Sequence, residues 1–203
     1  MHPSDRPVLE RNKHKFEPRC LPGPYRGPLR HAAVVLLFLS PGLDFRDVAH
    51  CDSKSGRDYY ARQRTGECDL PEEEEHPSAH KWLTKIIGQF EIGYEEARST
   101  VATLNISAYK SKAFSDWPLF AALPSCRAGL DWAQSVLFPQ ALAGKRVVVC
   151  LRSAKYWGLR TGYSEGSLFC PPCSRNAMMV QSEMREPVKT AVKRAVHREG
   201  NAS

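Results

Sequence analysis

Two carboxylates follow a tight turn in this sequence: Ser40-Pro41-Gly42 leads to Asp44 and Asp47. A carboxylate so placed can orient a water, take its proton, or balance positive charge on a reacting carbon. Asp44, two residues after Gly42, is the better placed of the pair, although it could equally cap a helix beginning at Phe45. Ser40 could hold a water through its hydroxyl. A serine is no base without help, and Ser40 could as well be a plain turn residue. Asn105 ends an apolar run and offers an amide donor pair and a carbonyl acceptor, enough to read the edge of a planar base. Strand-ending asparagines also serve as turn formers. Cys170 and Cys173 have the spacing of a metal-ligand pair. A zinc site needs four ligands, however, and Cys51, Cys68 and His50 form no second tight pair, so no metal is expected.

Such residues need a frame, and the apolar pattern predicts one. Residues 31–39 (HAAVVLLFL) read as a strand buried on both faces of a parallel sheet. Residues 100–106 and 147–151 read as further strands, and 166–169 as a short fourth. Ser78 reads as the N-cap of a helix over 79–90, with Trp82, Leu83, Ile86, Ile87 and Phe90 on one face. Residues 119–123 and 130–142 also read as helical. A terminal helix is expected over 178–196, kinked or split by Pro187. Residues 43–77 are polar and irregular, with room for one short helix. Strands alternating with helices predict an α/β fold, a three-layer α/β/α domain over residues 31–198 with a mostly parallel four-stranded sheet. Residues 1–30, rich in proline and basic side chains, predict an arm on the surface or toward a partner, and residues 199–203 a tail. In such sheets function gathers in loops at the carboxyl ends of strands, here residues 40–47, 105–116 and 170–176.

Composition narrows the setting. A chain of 203 residues can bury one core. The longest apolar run, residues 32–39, is too short to cross a bilayer and badly placed for a signal peptide. Seven cysteines, an odd and scattered set, argue for reduced thiols over a disulfide framework. A reducing, cytoplasmic setting without membrane attachment is therefore expected. The net charge of +7 suits a polyanionic partner, and Lys and Arg crowd residues 1–30, 57–64 and 189–198. Glu72 to Glu75 read as a solvated acidic loop. No P-loop or dinucleotide-binding glycine pattern occurs, which argues against an enzyme of free nucleotides.

Taken in order, four segments resemble the uracil-DNA glycosylase superfamily. Val34 to Gly42 (VVLLFLSPG) is similar to its first motif, a buried strand running into a proline-containing active-site turn. Leu104-Asn105 resembles the pair before its base-recognition loop. Lys145 to Trp157 (KRVVVCLRSAKYW) looks like its later strand-and-helix segment, and Cys170-Pro171-Pro172-Cys173-Ser174-Arg175-Asn176 like its minor-groove loop. The lead-in Leu21-Pro22-Gly23-Pro24-Tyr25-Arg26-Gly27 resembles that of bacterial and phage-associated members. The likeness spans roughly residues 21–198. Two positions depart from it. Ser40 stands where members usually carry Asp or Asn, and Cys170 where the uracil-specific branch carries a histidine. His76-Pro77-Ser78 matches that histidine motif in letters but precedes the second strand, and reads as a capping sequence. Gly42 replaces the tyrosine that excludes 5-substituted bases in the uracil-specific branch, as in the mismatch-specific thymine/uracil branch.

The resemblance implies a monofunctional DNA glycosylase without cofactor, acting as a monomer on DNA with a modified or mismatched pyrimidine, in repair or anti-phage defence. The alternative is a catalytically inactive DNA-binding module of the same fold. Asp44, Ser40 and Asn105 would then serve catalysis and recognition, and Gly42, Phe45, Tyr109 and Cys170 would line the base pocket. Lys110, Lys112, Ser174, Arg175 and Asn176 would touch DNA. With no buried lysine expected in these loops, base release should leave an intact abasic site. Binding should weaken steeply with salt as basic groups displace counterions.

Overall fold

A computed structural model describes residues 1–112 and 117–200. In chain order the elements are α1 (Arg6–Arg11), β1 (Tyr25–Arg26), β2 (Val34–Phe38), α2 (Asp47–Asp52), α3 (Lys54–Gln63), α4 (Pro77–Gly88), α5 (Tyr94–Ala97), β3 (Val101–Asn105), α6 (Trp117–Ala122) and α7 (Pro124–Trp132). A π-helical turn (Ala133–Leu137) then leads into α8 (Phe138–Leu142), β4 (Val147–Cys150), a 3₁₀ turn (Ala154–Trp157), β5 (Tyr163–Glu165), β6 (Leu168–Cys170) and α9 (Arg185–Gly200).

The chain is an α/β fold with a six-stranded, mostly parallel sheet in the order β1-β3-β2-β4-β6-β5. Its centre, β3-β2-β4-β6, is parallel, with Val34 opposite both Val101 and Val147. β1 and β5 add antiparallel edges, so the expected four-stranded sheet is corrected to six. β1 is only two residues long and β5 is the polar run Tyr-Ser-Glu, and neither can show apolar periodicity.

Side chains of β2 alternate between two cores. Val35 and Leu37 pack with residues of α6, α7 and α8. Val34, Leu36 and Phe38 pack with Leu83, Ile86 and Ile87 of α4 and with Val188, Val192 and Val196 of α9. A continuous apolar strand is what burial on both faces requires.

Several expectations are corrected. Residues 1–30 are built into the fold: Leu9 and Asp5 are buried, and β1 pairs with β3. Residues 43–77 hold two helices, α2 and α3, divided at Ser53, whose hydroxyl accepts from the Gly56 N–H and caps α3. Helix α4 begins at Pro77, with His76 at the N-cap, so Ser78 does not cap it. Pro187 lies in the first turn of α9, where its missing N–H would have no helical partner, and the helix begins at Arg185 instead of kinking. The end of the expected 105–116 loop, residues 113–116, lies outside the described residues, as do residues 201–203 of the tail.

Candidate functional site

Beyond the carboxyl end of β2, Ser40-Pro41-Gly42 turns the chain toward α2. The loop after β3 runs alongside, with the Ser111 N–H donating to the Pro41 carbonyl (3.3 Å) and Gly42 bridging Ser111. Between these loops and the start of α4 lies a cavity of ≈ 280 Å³. Ser40, Gly42, Asp44 and Asn105 line it, as the sequence suggests, and Arg26, Asp47, His76, Ser78, Trp82 and Lys110 complete it.

Asp47 occupies the centre. It is 2% exposed. Its Oδ2 accepts from the Asp44 N–H (2.7 Å), while Oδ1 pairs with Lys110 Nζ (2.7 Å) and accepts from the Ser78 hydroxyl (3.3 Å). Asp44 is engaged otherwise. Its Oδ1 accepts from the backbone N–H (3.0 Å) and Nε (2.9 Å) of Arg46, a local turn with an ion pair. Those side-chain and backbone bonds from Arg46 hold its carboxyl below the usual carboxylate range. Of the two carboxylates after the turn, Asp47 is therefore the one buried against the cavity. Asp44 is no helix N-cap either, since that place in α2 falls to Arg46.

Asn105 is buried at the end of β3, its Nδ2 donating to the Pro24 carbonyl (3.3 Å). Lys110 is 3% exposed and bound to Asp47, which corrects its expected role as a surface phosphate contact. Burial first, then the Arg26 guanidinium, pushes its pKa down, while Asp47 pulls it up. The expectation of no buried lysine in these loops is corrected with it.

Behind Asp47, the rings of His76 and His50 lie 4.3 Å apart, and Tyr59 meets His76 edge-on at 5.5 Å. His76 Nδ1 is 3.3 Å from the Ser78 hydroxyl, and Nε2 is 4.0 Å from Asp47 Oδ1, too far for a hydrogen bond. Burial, then Arg26, Lys110 and His50, lowers the His76 pKa to about 2. Its imidazole is thus neutral in the fold and does not form an ion pair with Asp47.

Acid sensitivity follows from that shift. The unfolded chain binds a proton at His76 near pH 6.5 and the folded protein does not. The stabilising contribution is complete above pH 6.5 and is lost as pH falls toward 2. Unfolding free energy is expected to decline between pH 6.5 and 5 by up to about 1.4 kcal/mol per pH unit. His76→Asn should flatten that slope in denaturant titrations, leaving the smaller share of His50, which burial and Lys110 also lower. An unchanged slope in the variant would refute the assignment.

Other residues singled out in the sequence lie elsewhere. Tyr109 belongs to the core and not to the cavity: its hydroxyl donates to Asp5 Oδ2 (2.7 Å) and accepts from the His2 N–H (3.1 Å). Phe45 is 86% exposed, beneath the Arg46 guanidinium, and does not line the cavity. Trp82, edge-on to Phe38 at 4.9 Å, does line it. Cys170, Ser174 and Arg175 line a second cavity of ≈ 240 Å³, at the ends of β4 and β6, with Cys150, Arg152 and Cys173. Lys112 and Asn176 are exposed. Among the described residues, no cluster of metal-ligating side chains occurs.

Arg26 has no site role in the sequence pattern, His76 and Ser78 read there as a capping sequence, and Asp47 reads as second to Asp44. Only the letters His-Pro-Ser carried a signal, and their position ahead of a helix disguised it. No protein-family model matches the chain, and no curated protein is significantly similar to it. No helix among the described residues is long and apolar enough to cross a membrane.

Proposed function

We propose that this chain is a DNA glycosylase that hydrolyses the N-glycosidic bond of a flipped, 5-substituted pyrimidine, in repair or anti-phage defence. The observation that carries the reading is one cavity, at the carboxyl ends of β2 and β3, uniting the Asn105 amide with a buried carboxylate and two buried cations. Helices on both faces of the sheet fit the α/β/α layering that the resemblance implies. At ≈ 280 Å³ the cavity falls just below the usual range of ligand pockets, roughly 300–1,000 Å³, and suits a single ring.

Each side chain has a role in this reaction. Asn105 offers a donor and an acceptor to the Watson–Crick edge of the base. Trp82 supplies a stacking face. Asp47 orients the attacking water and balances positive charge on the sugar as the bond breaks. A pyrimidine departs with negative charge, which Lys110 and Arg26 stabilise from a site largely closed to water. Net positive charge draws in the DNA, and Arg175 at the second cavity provides a phosphate contact.

Ser40 and the engagement of Asp44 with Arg46 favour a second reading, a DNA-binding module without chemistry. One experiment separates them. Labelled oligonucleotides containing uracil, a thymine mismatch or a bulky 5-modified cytosine are incubated with the protein, then treated with alkali. Strand breaks at the 5-substituted base are expected. Binding without breaks on any substrate would establish the inactive module.

A further inference from the structure

We propose that Lys110 forms an imine with the aldehyde of an abasic sugar and that the chain thereby cuts DNA at abasic sites as well as making them. The inference rests on the proposed base release only for the identity of the aldehyde, since that product would form in the same cavity. Its geometry is independent of that reading: an almost fully buried lysine lines a cavity, 2.7 Å from a buried carboxylate able to take its proton. The sequence expectation of monofunctional chemistry rested on there being no such lysine.

A lysine amine attacks carbon only when unprotonated, and desolvation beside another cation is a recognised way to reach that state. Lys110 has both features, burial and the neighbouring Arg26.

The step balances without an oxidant or cofactor. A proton passes from Nζ to Asp47, and the freed electron pair of the amine bonds to C1′ as the carbonyl electrons move to oxygen. Asp47 returns the proton to that oxygen, a second proton passes from the nitrogen to the same oxygen through solvent, and water departs, leaving a protonated imine. The imine draws the electrons of the C2′–H bond toward itself while the Asp47 carboxylate takes that proton. The C3′–O bond then breaks, its electron pair leaving with the 3′ phosphate. Hydrolysis of the imine restores Lys110 and releases an unsaturated aldehyde on the cut strand.

The test uses full-length protein and a labelled duplex with a preformed abasic site, so that no base release is required. With sodium borohydride, a protein–DNA adduct stable to denaturing electrophoresis is expected, and without it a nick at the abasic site. Lys110→Gln should abolish both. Because that variant leaves Asp47 buried without its partner and could misfold, the wild-type adduct is also digested and its attachment site mapped by mass spectrometry. Attachment at Lys110 supports the proposal. No adduct, or attachment at another residue, overturns it. Base release from the modified oligonucleotides with no adduct on the abasic duplex overturns the imine alone. An adduct at Lys110 with no base release from any oligonucleotide supports the imine and overturns the glycosylase reading.

Discussion

Asp47→Asn is expected to slow base release by roughly 10²- to 10⁴-fold, the usual worth of a positioned acid or base. On the proposed glycosylase reading, DNA affinity should change little, because phosphate contacts elsewhere would provide most of the binding. The substitution also removes the partner of a buried ammonium, and breaking such a pair costs about 3–5 kcal/mol. Asp47→Asn with Lys110→Met removes both charges, so it should recover most of the lost stability and none of the activity. Asp44→Asn is the control. Its carboxylate serves a local turn and Arg46, so activity should stay near that of the unaltered protein. Measured rates of base release and denaturant midpoints for the four proteins decide the matter. If Asp44→Asn is the inactive one, the assignment of the carboxylates is reversed.

Gly42→Tyr should divide substrates by size. An added Cβ at this position meets no atom within 4 Å, so a side chain can start there without a backbone clash. The phenol ring then occupies the cavity mouth where a substituent on C5 of the base would lie. Activity on a 5-substituted pyrimidine should fall by roughly 10²-fold or more, while any activity on uracil is spared. Kinetics on paired oligonucleotides check this. Equal activity on all bases would show that Gly42 does not bound the substrate.

The frame was more legible than the site. Residues 34–38, 101–105 and 147–150 lie in strands buried on both faces; the first and last announce themselves as unbroken apolar runs, and the middle one as an apolar run interrupted at Thr103 and ended by Asn105. The turn at Ser40 and the strand end at Asn105 followed directly from those runs. The polar centre did not, because it is assembled across the chain. Arg26 comes from a two-residue strand, Asp47 from the first turn of α2, His76 and Ser78 from the start of α4, and Lys110 from the loop after β3. No local pattern links positions so far apart. Lys110 in particular reads as an ordinary basic loop residue until Asp47 is seen against it. Tyr109, its neighbour, points the other way, to Asp5 and the core.

The loop carrying Lys110 owes its position to the first 24 residues. The Gly23 N–H donates to the Ala108 carbonyl, the Glu17 N–H to the Lys110 carbonyl, and Asp5 receives the Tyr109 hydroxyl. Asp5, Glu17 and Gly23 do not line the cavity. The reach of the ammonium can thus be retuned by substitutions that never enter the cavity, with the sheet and the cavity wall left as they are. For directed evolution of substrate range, this opening segment is a set of adjusting screws mounted outside the chemistry.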